Sequence, residues 1–191
     1  MLVGVLLFVA CRQDNQQQGG AASADSVAVM PLEYAKGFTV KTLENGVKLV
    51  DVADPQQDED KMPVSYHFAL VEKGHEADVP SGYTKVEVPV ERTIVMTMLQ
   101  LSNFMALDAY DEVKGITGTK NLYDKEILAR VKAGRIVKIG MEGNFDTELI
   151  LAAHPDVIFI SPFKRGGYDA IMETGILLVP HLGYKELDPL G

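Results

Sequence analysis

Downstream of Pro89 the chain alternates between short runs that are apolar at consecutive positions and stretches in which apolar residues recur three and four apart. Consecutive apolar positions mark strands buried on both faces, and the longer period marks helices. Residues 92–96, 113–117, 135–140, 156–160 and 176–180 are the predicted strands. Thr97 can cap a first helix carrying Met98, Leu101, Phe104, Met105 and Ala109 at helical spacing, until Asp111 breaks it. A second helix is capped near Asp124, with Ile127, Leu128 and Val131 on one face and Gly134 at its end. A loop over 141–145 precedes a third helix at 146–153, and a fourth lies around 168–174. Such alternation predicts an α/β fold: a parallel sheet with helices on both faces and binding loops at the carboxyl ends of its strands.

Between residues 38 and 90 the pattern is strand-rich instead. Runs at 38–43 and 47–52 flank Glu44-Asn45-Gly46, and Asn-Gly between β-prone runs predicts a hairpin with a type I′ turn. Another strand is expected at 64–71. The intervening Asp51, Asp54, Asp58, Glu59 and Asp60 read as a solvated loop rather than a metal site. The expected organisation is thus a β-hairpin-rich extension over 32–90 followed by an α/β lobe over 91–191.

The first ten residues are almost wholly apolar and are followed by Cys11, the chain's one cysteine. Their length is too short to span a membrane but suits the apolar segment of a secretory signal. Phe8-Val9-Ala10-Cys11 resembles the lipobox of bacterial lipoproteins, which implies removal of residues 1–10, lipidation of Cys11 and anchoring to a membrane of the cell envelope. The alternative is a buried strand with a core cysteine. Residues 11–31, rich in Gln, Gly, Ala and Ser, read as a flexible linker. A formal charge of −9 argues against nucleic acid as a partner, and a single cysteine permits no intrachain disulfide.

Three segments carry a second resemblance. They are residues 90–95 with 105–117, then Gly140 with the run 144–158 (Asn-Phe-Asp-Thr-Glu-Leu-Ile-Leu-Ala-Ala-His-Pro-Asp-Val-Ile), and then 168–179 with Glu173-Thr174-Gly175-Ile176. Together they are similar to the amino-terminal lobe of the periplasmic binding proteins that serve iron-siderophore, haem and cobalamin ABC importers. Ala109 stands where that family's pattern has glycine. The family has two lobes joined by a long helix, which implies that this sequence is a truncated chain or gene fragment. The resemblance implies an envelope lipoprotein that binds an iron complex, a ferric siderophore or related chelate, and hands it to the permease subunits of an importer. Cobalamin or haem is the alternative within the family. An envelope α/β enzyme with its catalytic residues in a missing half, or a lipoprotein whose extension binds another protein, are readings of other classes.

By the same resemblance Glu148 docks on arginines of the importer, although an acidic residue in a first helical turn is also favoured by the helix dipole. Ligand contacts are expected from the loops after the strands: Met98, Thr119, Lys120, Asn144, Phe163, Lys164, Arg165 and Tyr184. Lys120, Lys164 and Arg165 suit an anionic chelate, and each is equally a solvated surface charge. Tyr184 or His181 could ligate haem iron, though a lone His after a strand is more often hydrogen-bonded structure. Gly115–Lys120 lacks the gap and the Ser or Thr of a phosphate loop. No nucleophile, base and orienting acid assemble along the sequence, so no catalytic residue, metal ligand or cofactor is expected.

Overall fold

The computed structural model describes residues 26–53, 65–141, 144–161, 168–181 and 183–188. Strands β1 (Ser26–Val29), β2 (Phe38–Leu43), β3 (Lys48–Ala53), β4 (Ser65–Glu72) and β5 (Thr84–Val88) form one sheet in chain order. The first four pair antiparallel, whereas β5 lies parallel to β4. In the second half β6 (Thr93–Val95) leads to helix α1 (Met98–Ala106), β7 (Val113–Ile116) to α2 (Lys125–Lys132), and β8 (Val137–Lys138) to a short antiparallel ribbon of β9 (Gly140–Met141) and β10 (Asn144–Phe145). Then follow α3 (Thr147–Ala152), β11 (Val157–Ile160), α4 (Asp169–Met172) and β12 (Leu177–Pro180). Strands β12, β11, β6, β7 and β8, in that order, form an all-parallel sheet. The fold is mixed α/β, with a parallel and a largely antiparallel sheet.

Alternation along the strands sends side chains to two separate cores. Ile94 of β6 and Ile158 of β11 meet Ile150 of α3 and Ile171 of α4 on one side. Val95 and Ile116 meet Leu101 of α1 and Ile127 of α2 on the other. Each such isoleucine, fully buried, contributes about 1.5–3 kcal/mol of burial free energy. The helices start where local chemistry dictates. Thr97 and Gln100 form a capping box, and Asp124 and Asp146 accept the N–H groups of Ile127 and Leu149 at 2.8 and 2.9 Å.

Three expectations about this half need correction. Helix α1 ends at Ala106, and the left-handed Asp108 (φ 55°) turns the chain away, so Ala109 is not on its buried face. Met98, the first residue of α1, and Leu128 are 36% and 37% exposed, so neither belongs to the buried core that helical spacing suggested. The strand expected over 135–140 stops at Lys138, and Gly140 at φ 94° starts the β9–β10 ribbon where a loop was expected.

In the amino-terminal sheet the predicted hairpin forms with a different turn. Gly46 has φ 81° and Asn45 has no positive φ, while Leu43 N donates to Val47 O (2.9 Å) and Gly46 N to Leu43 O (3.0 Å). This is a three-residue loop closed by a left-handed glycine, not a type I′ turn. Ser26–Val29, inside the expected linker 11–31, is a strand paired with β2. Cys11 and the expected signal 1–10 lie outside the described residues.

The two sheets share a core. Phe68 of β4 and Val86 of β5 pack with Val157 of β11, joined by Leu177 and Val179 of β12. The amino-terminal sheet thus covers β11 and β12 on the side where α1 and α2 cover β6 and β7. Two polar clamps accompany this contact. The Glu186 carboxylate accepts the backbone N–H groups of Lys36 (2.9 Å) and Gly37 (2.6 Å). The Asp156 carboxylate accepts those of Glu91 (2.9 Å) and Arg92 (3.0 Å), while the Arg92 guanidinium donates to the Ala153 and His154 carbonyls at the end of α3. Asp156→Ala is therefore expected to cost about 1 kcal/mol, the worth of these solvent-accessible bonds, as read from the urea midpoint at unchanged m-value.

Candidate ligand cleft

From β6 the chain moves through β7 to β8 on one side, then returns to β11 on the other side of β6. This reversal of strand order at β6 is where open α/β sheets form a crevice, outside the carboxyl ends of the strands. A cleft of about 420 Å³ lies here. Met96, Thr97 and Met98 line it from the β6 loop, Thr117, Gly118 and Lys120 from the β7 loop, Met141 and Phe145 from the ribbon, and Tyr168 from the start of α4.

The Phe145 and Tyr168 rings stack at a centroid distance of 5.7 Å and an interplanar angle of 15°. The Tyr168 hydroxyl reaches the Ser161 carbonyl at 3.5 Å, and the Thr117 hydroxyl donates to the Met96 carbonyl at 3.3 Å. Three thioethers and a stacked aromatic pair make an adaptable, polarizable wall, and Lys120 adds a cation at its edge. This composition suits a ligand with an apolar body and a negatively charged group. Among the described residues no three His, Cys, Asp or Glu side chains are placed to hold a metal ion.

Of the residues singled out from sequence, Met98 and Lys120 are brought together in the cleft. Thr119 sits between two lining residues without lining it, and its carbonyl accepts Leu122 N at 3.1 Å. Asn144 is exposed on β10, paired with Met141. Phe163, Lys164, Arg165 and the Tyr184 side chain lie outside the described residues. Glu148 is exposed in the first turn of α3 and makes no ion pair among the described residues. His181 is half-buried after β12, with Asn103 Nδ2 3.0 Å from its Nε2 and its Nδ1 buried without a partner among the described residues, and burial lowers its pKa.

Sequence reasoning missed Met141, Phe145 and Tyr168. Phe145 directly precedes the cap Asp146, and Tyr168 is itself the N-cap of α4. An aromatic residue at a helix start that follows a strand's carboxyl end was the available signal.

Among the described residues no helix is long and apolar enough to cross a membrane. No family model matches the chain. In an alignment of 122 positions that covers 58% of this chain, it is 32% identical to an uncharacterized lipoprotein of Methanocaldococcus jannaschii, and the matched region spans 28% of that protein.

Proposed function

We propose that this chain is the amino-terminal lobe of a lipid-anchored solute-binding protein that delivers an iron complex to an ABC importer. The observation that carries the reading is the cleft at the strand-order reversal, assembled from four separate segments and lined by Met98, Met141, Phe145, Tyr168 and Lys120. Most of the lining residues sit on or directly beside strands and helix caps, so binding there needs little rearrangement, while Gly118 and Lys120 come from the β7–α2 connection. The lipoprotein character of the archaeal relative supports envelope anchoring through Cys11. The exposed carboxylate of Glu148 supports docking on cationic side chains of the importer's permease. A ferric siderophore is the primary ligand class, with haem or cobalamin as the alternative, and the cleft binds without turnover.

Spectroscopic titration of the full chain with a ferric catecholate, haem and cobalamin tests this. One of the three is expected to saturate, and Lys120→Glu should weaken an anionic ligand about tenfold, because the reversal removes one exposed attraction and adds a repulsion of similar size. If all three titrations stay linear with added chelate, the cleft is not a chelate site.

A further inference from the structure

The outer face of the antiparallel sheet has an apolar and a polar end. At the apolar end Leu49, Ala69 and Val71 lie beneath Ala77, Val79 and Tyr83 of the β4–β5 connection. At the other end three side chains separated in sequence converge. Ser65 and His67, two apart on β4, project to the same face, and the ladder places Asp51 of β3 directly opposite His67. His67 Nδ1 lies 2.7 Å from Asp51 Oδ1, and Ser65 Oγ lies 3.2 Å from His67 Nε2. We propose that Ser65, His67 and Asp51 form a nucleophilic site that accepts acyl groups from esters.

The arrangement meets the geometric test for an activated nucleophile: a hydroxyl within hydrogen-bond reach of a base, and the base oriented by a third group. With its Nδ1 proton donated to Asp51, the imidazole presents the Nε2 lone pair to the serine hydroxyl. Asp51 is itself held in place. The Tyr83 hydroxyl donates to the same carboxylate oxygen at 2.8 Å, and Lys41 Nζ approaches the other at 3.3 Å. Burial alone would raise the Asp51 pKa, but hydrogen bonds from His67, Tyr83 and Lys41 outweigh it and hold the carboxyl below its ordinary value. Burial first, then the bond to Asp51, pushes Tyr83 up to about 12, so its hydroxyl remains a donor. The Tyr83 ring also meets the imidazole edge-on, with centroids 5.4 Å apart, which fixes the ring plane. Ser65 and His67 are exposed, so the acyl donor approaches from solvent.

In the reaction Ser65 Oγ attacks the ester carbonyl carbon as its proton passes to His67 Nε2. The ester C–O bond breaks, and the alcohol leaves with that proton. Water then attacks the acyl-serine, giving up a proton to Nε2. The carboxylic acid departs as Oγ regains the proton, so ester and water become acid and alcohol. General-base assistance alone is worth about 10²–10⁴-fold, which suits activated esters.

The test treats the full chain with a fluorophosphonate probe and maps the adduct by peptide mass, alongside p-nitrophenyl acetate hydrolysis. A single adduct on Ser65 is expected, absent in Ser65→Ala, with labelling slowed at least about tenfold in His67→Gln. Both substitutions are at exposed positions, and circular dichroism checks that the fold persists. Asp51→Asn should slow labelling as well. No adduct at Ser65, or an equal labelling rate in His67→Gln, overturns the proposal and leaves the reading of the ligand cleft untouched.

Discussion

Gly140→Ala is expected to lower the stability of the chain by about 3 kcal/mol, the sum of backbone strain and overpacking. At φ 94° the backbone lies where side chains are rarely tolerated, and an added Cβ would stand 2.4 Å from the Asn144 carbonyl oxygen. Neither partner can give way cheaply, because both belong to the β9–β10 ribbon that starts at this residue. In a chain of this size such a loss lowers Tm by roughly 6–12 °C. The ribbon also carries Met141 and Phe145 into the cleft, so ligand affinity should fall along with stability. Gly118→Ala is the matched control: Gly118 lines the same cleft, yet its added Cβ would meet nothing within 4 Å and its φ is not positive. It should change stability by less than about 0.5 kcal/mol. Equal melting curves for the two variants would mean that the ribbon is not built as described.

Glu148→Arg, in a complete protein paired with its importer, should leave ligand affinity unchanged and abolish uptake. On the reading proposed above, Glu148 meets cationic groups of the permease, and reversing its charge replaces attraction by a repulsion of several kcal/mol. That corresponds to more than about 10²-fold in productive docking. The effect on folding should be small. Glu148 sits in the first turn of α3, where a carboxylate interacts with the helix dipole by about 0.3–1 kcal/mol. Uptake at the wild-type rate would reduce the residue to that dipole role, and lost ligand affinity would place it in the binding site.

The elements that the sequence foretold are those set by local chemistry. Caps at Thr97, Asp124 and Asp146 each bond to an N–H three residues on, and the strands at 157 and 177 are apolar at every position and exposed at none. What escaped depends on pairing across distance. Nothing local in Thr84–Val88 says that it lies parallel to β4, and nothing in Ser26–Val29 says that it joins β2. In the cleft, Met98 and Lys120 were accessible because they follow apolar strands, whereas Phe145 and Tyr168 meet only once the ribbon and α4 are placed. Asp51 was read as one charge in an acidic run, and only strand register brings it against His67. The apolar sequence of β11 signalled cover on both faces, but not that the cover on one side is a sheet.

That cover has a practical consequence. Cut at Pro89, the amino-terminal fragment would carry Phe68 and Val86 on a bare greasy plate, and the remainder would show water Val157, Leu177 and Val179. Fishing for companions with the excised fragment would therefore retrieve whatever is oily, whereas the intact polypeptide keeps both plates dry.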